Sequence, residues 1–193
     1  MRLRTYRETE ADWPAFVEFW STVYKNEDED PNRPDSRFLD RLHWPGGKLS
    51  TEDVDFLFEW KNGMKLSGNK KQAPARMKVK LRTFNGLRGA GYDELWPFAQ
   101  ECTEGPVWGR FICHIVSPER CPIWDQNVLR AFQCILGLKE DPEEIWEDRI
   151  YRAYVSFFQD ARGQVPARLR LPSFRRLDQA LFAFGSRYFP APS

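Results

Sequence analysis

Histidine and cysteine are scarce in this sequence, and neither set is arranged as a metal site. His43 and His114 are too few and too badly placed for a zinc centre or a catalytic triad. Cys102, Cys113, Cys121 and Cys134 are spaced by 11, 8 and 13 positions, contain no C-x-x-C pair, and fit no standard zinc pattern. Cys113 and Cys134 fall on apolar helix faces and read as buried thiols in a reducing cytosol. No apolar run reaches the roughly 18 residues of a membrane span, and Met1 to Arg7 lacks the apolar core of a signal peptide. A soluble, cytoplasmic protein is the expectation. No run alternates as a half-buried strand does, and no internal repeat is visible. One charge sign is also missing locally. From Trp60 to Tyr92 there is no Asp or Glu, while Lys61, Lys65, Lys70, Lys71, Arg76, Lys78, Lys80, Arg82 and Arg88 supply nine positive charges. The net charge of +1 hides this unevenness.

What is present reads as helices. At 193 residues the chain suits a single domain, 1–193, with room for two lobes and a real core. Aromatics make up 15% of it and include eight Trp, so the interior should be rich in rings. Asp12-Trp13-Pro14 starts a helix with Phe16, Phe19, Trp20 and Val23 facing the core. Ser36 caps a short helix through Leu42, ended by Pro45-Gly46-Gly47. Ser50 and Asp53 offer a capping box to a helix over 54–62 that Gly63 closes. A long basic helix is expected from about Ala75 to Phe84, with Met77, Leu81 and Phe84 inward. Asp93 caps the next helix. Asp141-Pro142 starts one carrying Ile145, Trp146, Ile150, Tyr151, Tyr154, Phe157 and Phe158, with Gly163 beyond its end. Arg168 and Arg170 sit in a basic loop, and the last helix, 174–184, ends at Gly185. The fold class is all-α.

One stretch organises the rest. Between Thr103 and Ala131, Gly105 and Gly109 open an apolar helix from about Val107 to Val116. A Pro-containing loop follows, and Asp125 then stands at the mouth of a second amphipathic helix that stops at Gly137. As chemistry, Asp125 is first a candidate N-cap, where the helix dipole favours a carboxylate. The glycine turn is either an ordinary interhelical connection or a set of backbone N–H groups suited to a phosphate oxygen.

This arrangement resembles the helix-hairpin-helix DNA glycosylase superfamily, in which a Gly-rich hairpin and an apolar helix lead to a catalytic Asp at the next helix start. Gly105 matches the hairpin's second glycine, Asp125 the catalytic Asp, and Arg130 the Arg one turn on. Thr103 replaces the first glycine, Gly109 an Ala, and Asn127 the His after the Asp. Val107 stands where the lyase members carry their Schiff-base Lys. The likeness is clearest over 100–135.

The resemblance implies a two-lobed helical bundle that binds double-stranded DNA as a monomer and flips a modified base out of the duplex. It also implies hydrolysis of the glycosidic bond with Asp125 and without lyase chemistry, because Val107 cannot form an imine. A bacterial source would make it nucleoid-associated. Relatives with an iron–sulfur cluster carry four Cys after the Asp. Only Cys134 lies there, so no cofactor is expected. Candidate DNA contacts are Thr103, Gly105, Val107, Gly109, Arg110, Arg130, Lys78, Lys80, Arg82 and Arg88. His43, Trp44, Trp60 and Lys61 are candidate base-pocket residues. The alternatives are a binding module that keeps the fold without the chemistry, and a purely structural helical protein.

Overall fold

The computed structural model describes residues 12–25, 35–44, 47–137, 147–166 and 175–188. These residues form ten α-helices and one 3₁₀ turn, and no strand occurs among them. In chain order the helices are α1 (Trp13–Val23), α2 (Asp35–Leu42), α3 (Thr51–Asn62), α4 (Gln72–Val79) and α5 (Leu81–Gly86). Then come α6 (Tyr92–Gln100), α7 (Pro106–Val116), α8 (Gln126–Leu136), α9 (Asp148–Gln164) and α10 (Arg175–Tyr188). None is long and apolar enough to cross a membrane. The chain divides into two compact units, one built from Met1–Asp28 with Pro122–Ser193, the other from Glu29–Cys121.

In the unit of the chain ends, α10 packs on both α1 and α8, and α9 meets α1. Tyr154 stands 5.5 Å from Phe132 and 4.8 Å from Trp124, with the rings crossed or tilted, which suits their quadrupoles. Asp12 caps α1 through the Ala15 amide. Its buried arc is Trp13, Val17, Ser21 and Tyr24, a spacing that follows one helical face. Phe16, Trp20 and Val23 are half-buried, but Phe19 is 60% exposed, contrary to its expected core role. Gly185 also departs from expectation. It lies inside α10, and a Cβ there would stand 1.8 Å from the Asn127 carbonyl oxygen. The glycine lets two helix backbones touch instead of ending one. Gly163 falls within the last turn of α9, which runs through Gln164.

In the second unit, α2 packs on α3, α3 on α4, and α6 on α7. The capping box forms as read. Ser50 accepts from the Asp53 amide, Asp53 accepts from the Ser50 amide, and Gly63 closes α3 at φ 78°. The expected long basic helix is two helices, broken at Lys80 (φ −101°, ψ 13°). Met77 and Phe84 are buried and Leu81 is half-buried, so the inward face survives the break. Gly91 occupies the N-cap of α6, and Asp93 sits in its first turn. Helix α2 begins at Asp35, one residue before the expected Ser36 cap. The proposed stop at Pro45-Gly46, the start at Asp141-Pro142, Ile145, Trp146, Phe174, Arg168 and Arg170 lie outside the described residues.

Candidate nucleic-acid interface

The hairpin is built by the end of α6 and the start of α7. Cys102 and Thr103 both donate backbone N–H to the Ala99 carbonyl, closing α6. The Thr103 hydroxyl then accepts from the Gly105 amide at 3.2 Å, which tightens the turn. Gly105 is the N-cap of α7 and offers no side chain, while Pro106 takes the first helical position. Pro is pre-organised there and lacks a donor that would go unused. No side chain caps α7, and the Val107 and Trp108 amides have no partner among the described residues. Such amides, with the positive end of the helix dipole behind them, form an anion-seeking surface.

Beside this turn lies a groove of about 310 Å³, at the small end of ligand pockets. The segment before and within α4 contributes Asn69, Lys70, Gln72, Ala73 and Arg76, and the hairpin contributes Cys102, Thr103, Glu104, Gly105 and Trp108. Lys70, Gln72 and Arg76 were not singled out as site residues from the sequence. The acid-free run contained Lys70 and Arg76 among nine cations, with nothing local to rank them.

Several expected contacts are placed elsewhere. Gly109 and Arg110 are buried. A Cβ on Gly109 would meet Trp96 at 2.7 Å, so this glycine serves the α6–α7 contact. The Arg110 guanidinium lies 5.8 Å from the Trp96 ring centre and is 0% exposed, so it presents no surface to a phosphate. Lys78 pairs with Asp55 at 2.8 Å, and Lys80 pairs with Glu101. Those acids come from outside the basic run and neutralise it in part. Arg82 is exposed. Arg88 covers the Trp44 ring at 4.6 Å and donates to the His43 carbonyl at 2.9 Å.

The base-pocket candidates differ in their settings. Trp44 is 2% exposed, sits at φ 53° and is covered by Arg88, so its ring is not open to a base. Trp60 stacks on Phe38 at 3.8 Å, Lys61 is half-buried, and His43 is exposed. The buried His114 holds the Cys121 carbonyl at 2.8 Å through Nδ1, which ties the loop after α7 back to that helix. Burial pushes the Cys121 thiol up to about 12, with the Arg120 charge opposing, and pushes the Cys102 thiol up as well. Among the described residues no three His, Cys, Asp or Glu side chains converge as a metal site would require.

Asp125 belongs to the unit of the chain ends. Its Oδ1 accepts the Asn127 and Val128 amides, each at 3.0 Å, and Gly137 ends α8 in the left-handed conformation at φ 61°. The capping role is therefore realised, and it fixes the carboxylate. Arg130 donates to the Asn127 side chain at 3.4 Å, bracing the same first turn. Nearby charge also reaches the fully buried Tyr154, whose phenol is pushed well above its ordinary range by burial, then by Asp178 and Asp125. Asp178 in turn pairs with Arg175, which bonds the Tyr24 hydroxyl. The chain matches no family model, no curated protein and no solved structure.

Proposed function

We propose that this protein binds double-stranded DNA through the 102–108 hairpin and hydrolyses the glycosidic bond of a flipped, modified base with Asp125. The observation that carries the reading is the uncapped amino end of α7 beside a groove holding Lys70 and Arg76. Backbone amides of this kind grip a phosphate without reading sequence. The charge and the amides of the hairpin position the duplex, and the chemistry falls to the carboxylate.

As the C1′–N bond breaks, the sugar gains oxocarbenium character. A fixed carboxylate stabilises that charge and orients the attacking water. Water adds at C1′, its proton passes to the base or the carboxylate, and the base departs. With Val107 at the hairpin, the product is an intact abasic strand. On duplexes each carrying one modified base, base release should yield breaks only after hot alkali. Breaks without alkali would contradict a monofunctional enzyme.

A second reading has its own observation. Asp125 Oδ1 is already engaged by two amides, as in an ordinary cap, and Asn127 replaces the family His. A non-catalytic DNA-binding module would bind the same duplexes and release no base from any of them.

A further inference from the structure

We propose that a DNA backbone phosphate enters the groove beside the hairpin and is held there by Arg76, making Arg76 the cation of the acid-free run that matters most for DNA affinity. The inference rests on the DNA-binding reading above. The run looks uniform in sequence, but its charges differ once partners are known. Lys78 and Lys80 are paired with Asp55 and Glu101, and Arg88 is held over Trp44. A phosphate would have to displace an existing carboxylate to use Lys78 or Lys80. Lys70 bonds only the neutral Asn62 side chain, at 2.8 Å, so its charge persists. Arg76 is exposed and makes no hydrogen bond or ion pair among the described residues.

Position separates Arg76 from the other exposed cations that make no ion pair among the described residues. Lys65, Lys71 and Arg82 are exposed too, yet none of them lines the groove, whereas Arg76 does. In the groove Arg76 shares its space with the Trp108 end of the hairpin and with the amide side chains of Asn69 and Gln72. A planar guanidinium suits a phosphate because two parallel N–H groups can meet two of its oxygens. Glu104 also lines the groove and opposes an anion. It therefore provides a second handle of opposite sign.

The test is anisotropy of a labelled duplex titrated with Arg76→Gln, Arg82→Gln, Lys78→Gln, Glu104→Gln and wild type over a series of salt concentrations. Circular dichroism and the unfolding midpoint serve as folding controls. Arg76→Gln should weaken binding several-fold and make the log–log salt slope shallower by about 0.9, the loss of one phosphate contact. Lys78→Gln and Arg82→Gln should move both quantities much less, and Glu104→Gln should tighten binding. Equal losses at Arg76 and Arg82 would reduce the groove to diffuse surface charge and overturn the proposal. Salt-sensitive wild-type binding that Arg76→Gln leaves unchanged would overturn it while sparing the DNA-binding reading. A wild-type protein that binds no duplex would overturn both.

Discussion

A methyl group at Gly185 would collide with the Asn127 carbonyl, and the clash is with backbone, which cannot swing aside. Gly185→Ala should therefore lower the unfolding free energy by about 1–3 kcal/mol, the usual cost of overpacking. Gly163 is the internal contrast, since nothing lies within 4 Å of a Cβ there. Gly163→Ala should be neutral or stabilise by up to about 1 kcal/mol, as glycine-to-alanine changes in helices do. Urea unfolding of the two variants reads both signs. The thiols make a separate residue-level prediction. Cys121 and Cys102 are both fully buried, and burial raises both thiols, so neither should react with a thiol reagent at pH 8 until the protein unfolds. Rapid labelling of either in the native protein would contradict the packing of its unit.

Among the elements, α3 depends on the Ser50–Asp53 box, and Ser50→Ala should cost about 0.5–2 kcal/mol. Burial alone would raise the Asp53 carboxyl, but the Arg41 guanidinium, at 2.8 Å, and the Ser50 donors outweigh it and hold it below its ordinary 3.8. A depressed carboxyl stabilises fully above its unfolded value and loses that contribution as the pH falls through the lower folded value. Asp53→Asn should therefore lose stability relative to wild type at neutral pH, with the gap closing below about pH 3.8. Acid titration of the unfolding midpoint checks the direction.

The caps of α3 and α8 were legible because their chemistry is local, three residues apart or one residue past the end. The break at Lys80 was not, because no Gly or Pro marks it. Gly185 misleads for a related reason. A glycine near a helix end signals either a stop or a close approach, and only the partner backbone distinguishes them. The ion pairs joining Lys78 to Asp55 and Lys80 to Glu101 span 23 and 21 positions, beyond any local pattern.

For the whole molecule, the hairpin lies in the unit of residues 29–121, and Asp125 lies in the unit assembled from the two chain ends. The hairpin is shaped by near neighbours, Trp96 and Thr103, whereas the first turn after Asp125 is backed by Gly185, far away in sequence. The all-helical class followed from periodicity, and the ring-rich interior from composition. The groove did not follow from either, because it depends on where two segments about thirty positions apart come together.

Asp125→Asn isolates whatever chemistry Asp125 performs beyond capping. Asn caps a helix about as well as Asp, so the variant should keep the wild-type unfolding midpoint and duplex affinity while losing the carboxylate's negative charge. The decisive measurement is base release from a panel of duplexes, each with one modified base, by both proteins side by side with alkali development. Release from at least one duplex by wild type and none by Asp125→Asn is the expected result. Equal release by both proteins would contradict the role of Asp125, and no release by wild type from any duplex it binds would contradict the enzyme itself.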